Sequence, residues 1–169
     1  DISIETSGIS LDSVLSFNGK LIKVSKFSGS YYLSEFSASG DIDITQASSP
    51  KVNLTGELLI ELKDLKRPLN KFKEQLEMIN PSGKVKAQFN LSGSINDLKN
   101  CNAKVRLSGD SISLYGLRGK DLFLNYTQAD GIANVVSMRL SLYGGSVNAF
   151  FRANLRSKDY PYLFQANIQ

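Results

Sequence analysis

Apolar and polar side chains alternate one by one through most of this 169-residue chain. In GKVKAQFNLSG the apolar residues stand at every second position, from Val85 to Leu91. A period of two places successive side chains on opposite faces of a β-strand, so that one face of each strand is apolar and the other polar. The same period recurs as far as Ile168, which predicts a sheet with one apolar and one polar face.

Short turn sequences separate the alternating segments. Asn18-Gly19 and Asp130-Gly131 are typical of tight hairpins, and SGS at 92–94 and SGD at 108–110 supply further predicted turns. Short connections pair strands that are neighbours in sequence, so the predicted fold is an all-β, mainly antiparallel meander. The first ten residues lack the basic start and apolar centre of a signal peptide. We expect residues 1–169 to form a single β domain that is a segment of a larger chain.

Two adjacent glycines, Gly144 and Gly145, interrupt the alternation of SLYGGSVNAFFRANL. Glycines inside a strand are typical of a bulge or a sharp coil, but a glycine pair also suits the two-residue loop of a hairpin. The sequence leaves both possibilities open, and either lets the sheet turn inward. Setting Leu21 on Ile132 also aligns the two halves without a gap, which fits either a repeated β unit or the chance similarity of alternating sequences.

One segment breaks the period of two. From Leu62 to Ile79 the apolar residues recur three or four positions apart, as they do on one face of an α-helix. Pro68 suits the first turn of such a helix, and the NPSG sequence after Ile79 ends it. We therefore predict one amphipathic helix over residues 66–79 that packs on the sheet, in preference to an independent membrane-surface helix.

Composition narrows the classes of function. The chain contains no histidine and a single cysteine, Cys101, which leaves no His-dependent triad, no intramolecular disulfide and no cysteine-based zinc cluster. We predict that the protein is not an enzyme and uses no cofactor. The net charge is +4, but the basic residues are spread along the chain and do not interleave with aromatic residues, so we predict no nucleic-acid partner.

The predicted sheet carries more apolar surface than the predicted helix can cover. About ten strands at 4.8 Å spacing form a sheet roughly 45 Å wide, whereas a helix of about 12 residues is only about 18 Å long. Each uncovered Leu, Ile, Val or Phe forfeits roughly 1.5 to 3 kcal/mol. The sheet must therefore fold over, pack on a second sheet or hold an apolar ligand. We expect a curled, glycine-punctuated sheet that forms a half-open groove or a flattened barrel.

The candidate wall of this groove consists of the apolar positions in the alternating segments that follow residue 83. These residues are Val85, Phe89, Leu91, Val105, Leu107, Ile112, Leu114, Leu122, Leu124, Met138, Leu140, Val147 and Phe151. An acyl chain offers no hydrogen bonds and needs only a continuous apolar wall, so the set predicts a site for an acyl lipid. Each residue taken singly fits an ordinary protein core equally well.

Three motifs follow one another in the second half of the chain. GKVKAQFNLSGSINDLKN places an Asp-Leu pair after two strands separated by glycine, and VRLSGDSISLYGLRGKDLFL is a strand pair broken by glycine. DGIANVVSMRLSLYGGSVNAFFRANL joins an Asp-Gly turn, a strand, Tyr-Gly-Gly and a final strand. In this order the motifs, from Gly83 to Leu155, resemble the C-terminal region of the AsmA-like or TamB family, the bridge-like lipid-transfer proteins of the bacterial envelope.

The resemblance implies a function and a location. Members of this family are expected to carry phospholipid acyl chains between two membranes in a long β groove that is apolar inside and polar outside. It implies the periplasm or cell envelope of a Gram-negative-type bacterium, a role in outer-membrane biogenesis, and anchoring of the parent protein to the inner membrane through parts outside this sequence. An envelope protein could also join the sheet by adding a strand at an open edge.

A second reading of the same alternation is a non-enzymatic interaction or scaffold module. In a β-sandwich or solenoid the apolar residues would be buried against a second layer, and no ligand would be needed. Partners of such a module would bind by strand addition at an unpaired edge. The two readings differ in whether the apolar face is open or sealed.

Overall fold

The computed structural model describes residues 2–6, 8–66 and 77–169. In these residues the chain forms eleven β-strands and includes two short 3₁₀ helices, Leu62–Lys66 and Leu98–Asn100. The strands are β1 (Ile2–Thr6), β2 (Ile9–Asn18), β3 (Leu21–Tyr31), β4 (Ser34–Asp43), β5 (Lys51–Glu61), β6 (Ser82–Ser94), β7 (Asn102–Leu114), β8 (Leu117–Ala129), β9 (Ile132–Leu142), β10 (Gly145–Asn154) and β11 (Tyr162–Ile168).

All eleven described strands belong to one sheet, and their order in the sheet is their order in the chain. Each strand pairs antiparallel with its neighbours in sequence, as short connections require. The predicted all-β antiparallel meander is therefore confirmed. The sheet is not closed, so of the two predicted shapes the flattened barrel is wrong: β1 and β11 remain edge strands in the described structure.

The pairing register collects the apolar residues on one face. Directly opposed residues of an antiparallel pair point to the same side of the sheet, so a chain of opposed residues traces a row across it. One such row crosses six strands and contains Phe89, Val105, Tyr126, Val135, Phe151 and Phe164. We call the side of the sheet that carries this row the apolar face, and the opposite side the polar face.

Of the two structures that suit Gly144-Gly145, the chain forms the hairpin, but its loop starts one residue before Gly144. Tyr143 and Gly144 form the loop between β9 and β10, with φ of 48° and 87°, and Gly145 already pairs with Leu142. Positive φ at both loop positions is the requirement of a type I′ turn, whose twist matches that of the strands. Asp130 and Gly131 form the same kind of turn, with φ of 51° and 72°, so the hairpin predicted there is confirmed.

The possible sequence repeat coincides with two structural hairpins. Adding 111 to the bounds of β3 and β4 gives the bounds of β9 and β10 residue for residue. The aligned tyrosines, Tyr32 and Tyr143, both begin their turns with positive φ, 54° and 48°. These two hairpins therefore have the equal strand lengths that a repeated β unit predicts.

The turn predicted at SGD, residues 108–110, is wrong, because β7 runs through it without a break. The ladder shifts register there instead: Ser108 pairs with Lys86, whereas Ile112 pairs with Gly83. Bulges of this kind bend a strand and increase its twist without ending it. Five of the ten strand pairings in the described sheet contain such a shift, which coils the sheet along its length.

Most of the predicted helix over residues 66–79 lies outside the described residues, which omit 67–76. The chain is helical on both sides of this gap, as a 3₁₀ helix at Leu62–Lys66 and again at residues 77–79. The 3₁₀ helix contacts β5 and β6. Its Asp64 carboxylate accepts hydrogen bonds from the Leu33 backbone N–H (3.0 Å) and the Ser34 hydroxyl (2.9 Å), which ties it to the β3–β4 turn.

The core of the described structure is a thin layer of small residues along the sheet. The buried apolar residues are Val24, Val52, Val85, Ala87, Cys101, Ile112, Ala133 and Ala153. Within the described ranges the strands make substantial contacts only with neighbouring strands and the short helices, and no second sheet is formed. The sealed-sandwich reading therefore does not describe this architecture.

Candidate functional site

The register brings the predicted wall residues together on the apolar face. Phe89 lies opposite Val105, Leu107 opposite Leu124, and Leu124 opposite Met138. The remaining described members occupy the same face two residues along from these, or across a bulge. Leu114 pairs with Leu117 beside the β7–β8 turn, and its side chain lies outside the described part of the structure.

Burial of these residues is partial. Val85 is 5% exposed and Ile112 is 6% exposed, whereas the other described wall residues are half-buried. In a single sheet this cover comes from lateral packing between neighbours on the same face. The edge strand β11 is the most open, since Phe164 is 61% and Ile168 77% exposed. The wall is thus a continuous apolar surface that no second sheet covers within the described residues.

Large side chains of this face lie over glycines on the adjacent strand. A Cβ atom on Gly56 would lie 2.7 Å from the Phe89 ring, and one on Gly119 would lie 2.7 Å from a Leu140 methyl group. The bulky group occupies the space that a side chain at the glycine would take. The face is thereby filled where glycine would otherwise leave a gap.

The prediction from sequence missed the part of the apolar face in the first half of the chain. Phe27 and Phe36 lie there with their ring centroids 5.5 Å apart, and Phe36 is opposite Leu58. Tyr126 and Val135, in the second half, were also missed although they lie in the same row as Phe89. The period of two identifies Phe36 and Tyr126. It does not identify Phe27 and Val135, because a bulge shifts the phase of β3 after Val24 and of β9 before Met138.

The polar atoms of the apolar face are engaged within the protein. The Tyr126 hydroxyl donates to Gln128 Oε1 at 2.6 Å, and Gln128 Nε2 donates to the Leu98 carbonyl at 2.6 Å. Burial raises the pKa of Tyr126, which keeps its hydroxyl protonated and able to donate. These groups therefore join β8 to the Leu98–Asn100 helix and do not face a ligand.

Cys101 lies at one end of this hydrogen-bond network, where its carbonyl accepts a bond from Gln128 Nε2. Its side chain is 1% exposed, and its Sγ donates to the Ser94 carbonyl at 3.0 Å. Desolvation, with a smaller contribution from Asp97, raises the pKa of the thiol. The reactive form of cysteine is the thiolate, so this environment suits a packing residue and disfavours a nucleophile.

The described residues hold neither a candidate metal site nor a membrane-spanning helix. No group of three or more Cys, Asp or Glu side chains is placed to hold a metal ion among them. Within the same ranges, no helix has the length and apolarity needed to cross a membrane.

Comparisons with protein-family models, with curated proteins and with solved structures each returned no match. The similarity to AsmA-like proteins accordingly remains a prediction from the three sequence motifs. The geometry of the apolar face is therefore the evidence that bears on function.

Proposed function

We propose that the apolar face holds the acyl chains of a phospholipid or another acyl lipid, and that this domain is a segment of a lipid-transfer protein. One observation carries the proposal: the described chain forms a single sheet with a continuous apolar face and no second layer to cover it. Monomeric proteins rarely expose large contiguous apolar patches without a ligand or a partner. An acyl chain matches such a face because it needs apolar contact and no hydrogen bonds.

The dimensions of the face agree with this ligand. The row that joins Leu107, Leu124 and Met138 extends from β6 to β10, four strand spacings or about 19 Å. That is the length scale of an extended fatty acyl chain. A fully buried methylene contributes about 0.8 kcal/mol, and a chain lying on an open face buries roughly half of its surface. The expected stabilisation is therefore about 0.4 kcal/mol per methylene, which suits a reversible ligand.

The polar part of the lipid would remain in water at the margin of the face. The hydroxyl and amide of Tyr126 and Gln128 are already engaged with each other, so the apolar face offers the headgroup little specific recognition. We place the parent protein in the periplasm or cell envelope, where it would contact membranes through parts outside this sequence. This placement follows from the family resemblance alone.

The test is lipid retention by the purified domain. Native mass spectrometry and solvent extraction are expected to find bound lipid after expression in a Gram-negative host. Leu124→Asp places a charge in the middle of the apolar face, so this variant is expected to lose the lipid. Asn125→Asp is the matched control, because the neighbouring residue points to the polar face.

Far-UV circular dichroism shows whether both variants keep the sheet. Loss of lipid from Leu124→Asp alone, with both variants folded, supports the proposal. A wild-type domain without bound lipid, or equal lipid in the two variants, contradicts it.

A protein partner at the sheet edge is a second candidate, because one observation favours it. The outer edge of β11 pairs with no described strand, and its Tyr162 and Phe164 are 74% and 61% exposed. Unpaired, apolar edges are suited to strand addition. The pairs Ser146–Gln169 and Asn154–Pro161 are hydrogen-bonded, so the register turns the Ala166 N–H toward the free edge. Ala166→Pro is expected to weaken this association and to leave lipid binding on β6–β10 intact, which separates the two candidates.

A further inference from the structure

The polar face carries a shallow trough that crosses the strands. Two rows of side chains form its walls, and the backbone between them forms its floor. The first wall contains Ser37, Glu57, Gln88, Arg106 and Asn125, and the second contains Ser39, Thr55, Asn90, Lys104 and Thr127. These two rows define the polar-face trough, which extends from β4 to β8.

Two depressions make up this trough. One of about 510 Å³ is bordered by residues of β3 to β6, and one of about 480 Å³ is bordered by residues of β6 to β9. Both are bordered by Gln88 and Asn90, so they join on β6. The four strand spacings from β4 to β8 give the trough a length of about 19 Å, which suits an extended chain better than a compact small molecule.

The walls consist mainly of hydroxyl and amide groups. Serine and threonine hydroxyls can both donate and accept hydrogen bonds, and asparagine and glutamine amides present a donor and an acceptor side by side. Gln88 and Asn90 are exposed, and they face each other across the point where the two depressions meet. A ligand with many hydroxyl groups along its length matches such walls.

The charge of the trough is positive. Lys104 and Arg106 are exposed, and neither makes an ion pair within the described residues. The one acidic wall residue, Glu57, is already neutralised: its carboxylate contacts Lys86 Nζ at 3.0 Å and accepts a hydrogen bond from Gln88 Nε2 at 2.6 Å. Two cations, one on each wall of the trough, therefore remain available for an anionic ligand.

We propose that the polar-face trough binds an acidic oligosaccharide, with its carboxylates at Lys104 and Arg106 and its hydroxyls on the amide and hydroxyl walls. Arginine forms paired hydrogen bonds with a carboxylate, and lysine adds a point charge. A single-stranded nucleic acid would need aromatic side chains for base stacking, and the ten wall residues include none. The proposal is independent of lipid binding, because it concerns the opposite face.

The test uses an oligogalacturonate long enough to span 19 Å, titrated into the folded domain by isothermal calorimetry. Its fully methyl-esterified form is the uncharged control ligand with the same sugar rings. The variant K104Q/R106Q removes both free cations from the trough. Its matched control, R118Q/K120Q, removes two charges from β8 at least five residues, or about 17 Å, from Asn125.

Binding of the oligogalacturonate is expected to weaken about tenfold or more in K104Q/R106Q, because two charge-assisted contacts are lost. R118Q/K120Q is expected to bind within about twofold of the wild type, since exposed charges this far apart are screened by salt. Asn90→Val is expected to weaken binding severalfold with no change of charge, which tests the amide wall separately.

Several results would overturn the proposal. These are no binding by the wild type, equal affinity for the methyl-esterified ligand, equal losses in the two double variants, or tighter binding of anionic vesicles or of an oligonucleotide. Circular dichroism establishes that each variant is folded, and Asn90→Val decides the matter if K104Q/R106Q is not. Leu124→Asp is expected to keep oligogalacturonate affinity, so failure of one proposal is distinguishable from failure of the other.

Discussion

Replacing Gly56 by alanine tests how closely the strands approach each other under the apolar face. Gly56 lies in β5, where a Cβ atom would come 2.2 Å from the Ser37 backbone oxygen and 2.7 Å from the Phe89 ring. Alanine in a strand ordinarily gains about 0.5 to 1 kcal/mol over glycine from reduced backbone entropy in the unfolded state. Here the gain is opposed by a backbone atom, which cannot move without disturbing the β4–β5 ladder.

Overpacking of this kind costs about 1 to 3 kcal/mol or more. The entropic gain offsets part of that cost, so Gly56→Ala is expected to lower the free energy of unfolding by about 1 to 2 kcal/mol. For a chain of this size, this corresponds to a fall of about 2 to 8 °C in the melting temperature. Urea unfolding followed by circular dichroism gives the free energy, and calorimetry gives the melting temperature.

Gly119→Ala is the matched control on β8. The three atoms nearest to its Cβ would all belong to the Leu140 side chain, at 2.7 to 3.3 Å, and this side chain can change rotamer. We expect this change to alter the free energy of unfolding by less than about 0.5 kcal/mol, because the entropic gain offsets the rotamer cost. Equal effects at the two glycines, or a stabilised Gly56→Ala, would refute the close approach of β4 and β5.

Two further predictions concern titratable groups. Cys101 is expected to react with iodoacetamide far more slowly in the native protein than in urea, because its thiol is buried and its pKa is raised; similar rates at pH 8 would contradict the packing around β6. Burial also raises the pKa of Tyr126, so the unfolded chain loses this proton first and stability falls as pH rises above the ordinary value of 10.0. Replacing Tyr126 by phenylalanine is expected to flatten this alkaline fall; an unchanged pH profile would show that another group causes it.

The alternating pattern predicted the strands and the apolar face. A period of two keeps all the apolar side chains on one side only if the segment is a β-strand. The turns were harder to predict. SGD at 108–110 and Asp130-Gly131 both contain glycine after a polar residue, yet only the second has two successive residues with positive φ. At Gly109 the ladder continues instead, since Gly109 pairs with Leu122 on β8. The outcome depends on the partner strand, which local sequence does not contain.

The exact position of the β9–β10 loop also could not be predicted from the local sequence. Tyr143 takes the first loop position with a φ of 48°, a conformation in which a tyrosine is uncommon, and this leaves Gly145 free to pair with Leu142. Glycine preference alone places the loop at Gly144-Gly145. The candidate wall was predictable for a simpler reason: each described member belongs to an alternating run on one side of a bulge, as Leu107 and Ile112 do on β7. Whether the wall is covered could not be predicted from the alternating pattern, because cover depends on what packs over the sheet.

Photocrosslinking with a phospholipid that carries a diazirine near the end of one acyl chain tests the central claim most directly. The cross-linked residues, identified by peptide mass spectrometry, are expected to lie on the apolar face of β6 to β10, at positions such as Phe89, Leu124 and Met138. Labelling confined to polar-face positions such as Asn90 and Asn125, or to the edge strand β11, would contradict the account.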